Sequence, residues 1–215
     1  MAQNQHLTGS VDFRLVVPVV ADSARRSKSK ARKKQLNFSC MPSPVAHGLA
    51  GALIGWSVAP PPATDAPGAL RRVILFAAAG MAADLDLLVG AHSGPSHGLG
   101  AAVIAGVVLW VTLRSCGMRG SARLALATGL AYATHTLLDW LGTDSSPPIG
   151  IMALWPFSRN YYESPWHIFM AISRRYWLPE FWTDNLRALG RELLILVPLT
   201  AIVLAMRRGR RVWAR

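Results

Sequence analysis

The 215 residues are 52% hydrophobic and only 16% charged, with a mean hydropathy of +0.28 and a net charge of +12. Soluble domains usually carry about 25% charged residues, so the composition argues against an ordinary water-soluble domain and points to lipid as solvent. The two cysteines, Cys40 and Cys116, form no CxxC motif and no disulfide framework, and read as ordinary thiols.

The chain opens on a polar head. Residues 1–40 hold eight Lys/Arg against Asp12 and Asp22, half of the net charge. Their RRSKSKARKK run has no aromatic interleaving, so it reads as a solvated or membrane-surface tail rather than a nucleic-acid-binding arm. It is not a signal peptide, because the apolar stretch VDFRLVVPVVA is broken by Arg14 and precedes the basic run. Met41 begins MPSPVAHGLAG, which would be a natural start, and residues 1–40 are expected to be a non-native extension or a disordered tail.

Five hydrophobic segments follow, at roughly 45–60, 70–90, 98–114, 122–142 and 190–206. A helix crossing the hydrocarbon core needs about 17–25 residues. The last four segments meet this and the first is marginal. The predicted fold is therefore all-α, a polytopic membrane helix bundle of four to five transmembrane helices over residues 41–215. Small residues fill the first four segments, as close helix packing in lipid favours. Residues 143–189 are too polar to span; their WPFSRNYYESPWHIFM and YWLPEFW stretches suit an interfacial layer, a small folded cap, or both.

Three arginine clusters, at Arg71–Arg72, at Arg114, Arg119 and Arg123, and from Arg207 to Arg211, fall on one side of a five-span bundle. The excess of positive charge marks that side as cytoplasmic. This arrangement places the basic head outside, a conflict that disappears if the first segment does not span or if the head is not native.

Histidines and aspartates gather at the opposite end. His47 opens the first segment, Asp84 and Asp86 end the second, His92 and His97 lie in HSGPSH before the third, and His135 and Asp139 close the fourth. Each ionisable group in a membrane segment costs about 2.5–3.5 kcal/mol on insertion scales, and a divalent cation shared among carboxylates and imidazoles compensates several at once. His135 and Asp139, four apart, leave one helix face. Asp84 and Asp86, two apart, diverge by about 200° on an α-helix, so both ligate only if the helix ends there; otherwise one of them caps or orients a histidine. Each residue also has a structural alternative: His47 as an interfacial histidine, His92 as loop, His135 with Asp139 as a hydrogen-bonded pair. Glu163 and His167 form a second pair four apart, in the polar loop.

On these residues the chain resembles the YdjM-like family of membrane-bound metal-dependent hydrolases. The pieces that carry the resemblance are MPSPVAHGLAGALIG, GMAADLDLL, HSGPSHGLG, THTLLDWLGT and LWPFS, spread in that order over residues 41–158. The resemblance implies His47, Asp84, Asp86, His92, His97, His135 and Asp139 as functional positions, and a distant similarity to zinc-dependent phospholipase C and P1-type nucleases. The turn departs from the family pattern HRGxTHS by lacking its arginine, and the Pro or His stretch that follows DLD in the family is absent. Both departures bear on substrate rather than on metal.

The resulting expectation is a multi-pass inner-membrane hydrolase that uses a divalent metal, zinc by its ligands, on a small-molecule or lipid phosphoester. His47, Asp84, Asp86, His97, His135 and Asp139 are the metal candidates, with His92 and Asp86 as catalytic candidates and the site on the extracytoplasmic side. The expected partners are membrane lipid and the phosphoester, not nucleic acid; oligomeric state is unassigned. The alternative is a metal-binding membrane protein without catalysis. A scaffold acting through its basic tail is a third reading.

Overall fold

The computed structural model describes residues 39–60, 66–89 and 93–213, all within one unit that begins at Phe38. The basic head up to residue 38 and the catalytic candidate His92 lie outside the described residues. The rest is mostly helical. α1 spans Pro44–Val58, α2 Ala66–Met81, α3 Leu99–Ser115, α4 Ser121–Leu141 and α5 Phe181–Trp213. Two short strands, β1 (Ser39–Cys40) and β2 (Ile172–Ser173), pair antiparallel.

α1 packs between α2 and α4, and α4 also packs against α3. α1 starts cleanly because the Ser43 side chain accepts a hydrogen bond from the Ala46 N–H and Pro44 supplies a pre-set first turn. Its glycines then let it approach α2 backbone to backbone. A Cβ on Gly51 would stand 2.5 Å from the Phe76 carbonyl oxygen, and one on Gly80 would stand 2.3 Å from the His47 carbonyl oxygen.

The second hydrophobic segment does not stay α-helical. It tightens at Met81 into a 3-10 helix over Ala82–Val89, the helix ending that the Asp84–Asp86 spacing requires if both are to act together. The polar loop is also shorter than expected. α5 begins at Phe181, not near 190, because hydropathy marks only the apolar part of a helix whose first turns are polar and favoured by Asp184 near the N-terminus.

Residues 143–180 form a cap on α4. Ser164 and Ile168 donate backbone hydrogen bonds to the carbonyls of Trp140 and Leu141, and Leu99 and Gly100, at the start of α3, donate to Ala153 and Trp155 of the cap. Four to five spans are expected from the sequence; among the described residues one helix is long and apolar enough to cross a membrane by itself, α5 over Phe181–Arg207, with α1 and α3 apolar but shorter. The exterior is apolar, with Val103, Val107, Leu194 and Ile202 exposed, while His47, Thr134, Asp139 and Glu192 are buried.

The α1–α2 contact gives a direct test. Gly80→Ala forces a side-chain atom into backbone and is expected to cost about 1–3 kcal/mol or more, as overpacking does. Gly94→Ala, with nothing within 4 Å of the added atom, serves as the control. Thermal unfolding in detergent compares them; equal midpoints would refute the backbone contact.

Candidate metal centre

Four elements deliver the ionisable groups. His47 sits one turn into α1, Asp84 and Asp86 on the 3-10 helix, His97 in a single 3-10 turn over Pro95–His97, and His135 with Asp139 on the inner face of α4. Their side chains meet around the Asp139 carboxylate, which is fully buried. Its Oδ1 is 3.1 Å from His47 Nε2, and its Oδ2 is 3.0 Å from His135 Nε2 and 3.5 Å from His97 Nε2. Asp84 Oδ1 lies 3.8 Å from the Nε2 atoms of both His97 and His135. The His47 and His135 rings stack at 3.9 Å.

Hydrogen bonds determine which nitrogen His135 and His97 present. His135 Nδ1 is 2.8 Å from the Gly80 carbonyl oxygen, which only accepts, so Nδ1 carries the proton. In the neutral ring Nε2 then turns a lone pair toward Asp139 and Asp84. On His97, Nδ1 faces Asp86 Oδ2 at 3.3 Å and Ser96 Oγ at 3.1 Å, leaving Nε2 toward the centre. Ser96 Oγ also donates to Asp86 Oδ2 at 2.7 Å, and Tyr132 donates to the Ser96 carbonyl. Asp86 thus grips the outer nitrogen of His97 while Asp84 faces its inner one. This is how a carboxylate orients a metal-binding histidine from behind.

The close contacts at the centre are not hydrogen bonds. His47 Nε2, His135 Nε2 and both oxygens of Asp139 are buried and make none of acceptable geometry among the described residues, although they stand 3.0–3.1 Å apart. Buried polar atoms are rarely left so. Buried donor and acceptor atoms gathered this closely without hydrogen bonds could hold a cation between them. Two overlapping sets have ligand atoms within 4.8 Å of one another: His47, Asp84 and His135, and His97, His135 and Asp139. They share His135, which has one nitrogen to offer, so they could hold one ion at a time, with neutral imidazole and carboxylate donors. That set suits zinc and similar divalent ions.

The other sequence candidates fall elsewhere. Glu163 and His167 pair at 3.6 Å on the cap, where Glu163 also accepts from the Asp144 N–H, and they do not join the converging group. Cys116 is exposed.

One functional side chain escaped the sequence reading. Glu192 of α5 is fully buried and accepts from both the N–H and the hydroxyl of Ser43. Ser43 is the N-cap of α1, and its carbonyl accepts from His47 N at 3.2 Å. Glu192 therefore secures the turn that carries His47, and its negative charge meets the positive end of the α1 dipole. The signal was a lone carboxylate at the edge of an apolar run, where such a group is costly unless used.

The match to known proteins follows this geometry. The family model described as YdjM inner membrane protein matches residues 41–211, and the chain belongs to that family. The match covers every residue of the centre and leaves the basic head outside. No curated protein and no solved structure matches the chain.

Two tests arise here. Glu192→Ala strands the Ser43 N–H and hydroxyl in a buried place and is expected to lower stability by about 1–3 kcal/mol. Glu192→Gln keeps an acceptor and most of that stability, so an equal loss in both variants would dismiss the clamp. The second concerns His97, which lies in the turn before α3. Burial works against charge on its ring, but the Asp84 and Asp86 carboxylates outweigh it and push the pKa up to about 9. A raised pKa stabilises the metal-free fold below about 6.5, the ordinary histidine value, and that contribution fades as pH rises through about 9. A cation must displace the same proton, so zinc affinity is expected to rise with pH across this window. Calorimetric titration at several pH values, corrected for buffer protonation, checks it; a flat profile would exclude His97 as a ligand.

Proposed function

We propose that the chain is a polytopic metal-dependent hydrolase of the inner membrane that cleaves a phosphoester, with lipid phosphoesters as the favoured class. The observation that carries the reading is the His135 Nε2 lone pair turned onto the Asp139 carboxylate in a buried site, an arrangement that calls for a cation. His47, His97, His135, Asp84 and Asp139 would hold the metal. Once bound, it would lower the pKa of a coordinated water to about 7 and polarise the phosphoryl oxygen.

The chain's own residues do the positioning. Gly80 sets the His135 tautomer and Asp86 sets that of His97, so Asp86 orients a ligand rather than transferring a proton. Asp84 is the most open carboxylate of the cluster, 22% exposed against 10% for Asp86 and none for Asp139. Substrate would enter along its edge. His92 remains the candidate acid for the leaving oxygen on the sequence reading alone. The exposed aromatics of the cap and the start of α5, among them Phe157, Trp166 and Trp182, suit headgroup depth and would give an amphiphilic substrate access to the centre.

In this reading α2 with its 3-10 extension, α3 and α4 cross the bilayer alongside α5, and α1 is buried among them. Arg72, Arg123 and Arg207 lie at the end opposite the centre, which the positive-inside tendency assigns to the cytoplasm.

Purified protein is expected to carry a stoichiometric divalent metal that His135→Ala and Asp139→Ala lose. Asp86→Asn should bind it about 10–100-fold more weakly, as loss of a histidine-orienting group does. Metal content by mass spectrometry and cleavage of a phosphoester and phospholipid panel are the measurements. Protein without metal under replete conditions would end the proposal, whereas metal-bearing protein that cleaves nothing would reassign the centre to binding without catalysis.

A further inference from the structure

We infer that the end of the bundle opposite the metal centre holds a binding site for the phosphate of an anionic phospholipid headgroup, formed by Arg72, Arg123 and Arg207. Three helices each bring one guanidinium to the C-terminus of α1. Arg72 Nη1 donates to the carbonyls of Ala59 and Pro60 at 3.1 and 2.9 Å, Arg123 Nε to Val58 at 2.8 Å, and Arg207 Nη1 to Trp56 at 3.0 Å.

These bonds explain why the arginines converge but not their charge. A helix C-terminus offers the equivalent of about half a negative charge, and the charges of Arg72 and Arg123 alone exceed it. Neither Arg72 nor Arg123 is paired with a carboxylate among the described residues. A guanidinium has five N–H donors in a planar fork, and the bonds above use one nitrogen each of Arg72 and Arg123. The remaining forks of these two belong to side chains pinned in place, so little rotamer freedom is left to lose on binding. Arg123 is exposed and Arg72 partly so, which leaves the cluster accessible.

The charge surplus calls for an anion, and the geometry of a guanidinium fork favours phosphate. The source is lipid because the protein belongs to an inner-membrane family and because α1 and α3 are apolar up to this end. Basic pockets between helices at a membrane boundary take anionic headgroups. The inference rests on the insertion of the bundle proposed above and is independent of the metal.

The test uses the full chain in nanodiscs of phosphatidylcholine alone or mixed with phosphatidylglycerol, read by native mass spectrometry and thermal unfolding. The wild type is expected to retain phosphatidylglycerol selectively and to unfold at a higher temperature when it is present. Arg72→Gln with Arg123→Gln should weaken retention roughly 30-fold, two arginines at the strength usual for basic groups on anionic lipid. If the double variant does not fold, Arg123→Gln alone, which removes one bond from an exposed side chain, should weaken it about 5-fold. Equal loss of stability in both lipids with unchanged retention would assign the arginines to helix capping alone and overturn the site. Inorganic phosphate that stabilises the protein in pure phosphatidylcholine as well as phosphatidylglycerol does would overturn the lipid assignment. Extraction of the protein from membranes by alkaline carbonate would instead defeat the insertion reading.

Discussion

A fully buried carboxylate is costly to leave alone, and Asp139 stands within 3.0–3.5 Å of three imidazoles at once. A buried carboxylate without partners is costly enough that a fold rearranges or the group neutralises. Here α1, α4 and the turn before α3 each deliver one histidine to the same acid, which fixes where those elements stand. With Asp84 added, the group holds two carboxylates at its inner face. Protonating both stacked rings, His47 and His135, would set two like charges 3.9 Å apart. One multivalent cation satisfies the same atoms without that repulsion.

Packing and chemistry are tied together at Gly80. Its α-carbon side accepts the His47 backbone at a distance no side chain would allow, and its carbonyl fixes the proton on His135. A small shift between α1 and α2 would therefore alter the position of one histidine and the tautomer of another together. The 3-10 winding beyond Met81 has a similar double effect. It places Asp84 and Asp86 on opposite nitrogens of His97, so that one faces the centre and the other steadies the ring.

Much of this was legible from residue spacing. The four-residue interval between His135 and Asp139 indicates a shared helix face, and alternation of apolar segments brings His47, Asp84, Asp86, His97 and Asp139 to one end. The two-residue interval of Asp84 and Asp86 posed the alternative that the 3-10 helix resolves. What could not be read were properties that depend on a partner distant in sequence. The inward-facing nitrogens of His135 and His97 are set by Gly80 and by Ser96 with Asp86, and on the proposed reading Asp86, a catalytic candidate from the sequence, would orient His97. Glu192 escaped notice because hydropathy treats a lone charge at the margin of an apolar run as a boundary. The same averaging put the start of α5 too late.

α1 is 15 residues long, about 22 Å at 1.5 Å per residue, against a hydrocarbon thickness of about 30 Å. Inserted as proposed, such a helix would bring the peptide groups of both its ends within reach of lipid. α5 answers both, with Glu192 at Ser43 and Arg207 at Trp56, across 149 and 151 residues of chain. The carbonyls of Val58, Ala59 and Pro60 are bonded from α2 and α4, whereas the Ser43 N–H and the Trp56 carbonyl take their partners from the end of the chain. The last helix therefore fastens both ends of the first, and loss of α5 would strip one bond from each terminus of the helix that carries His47.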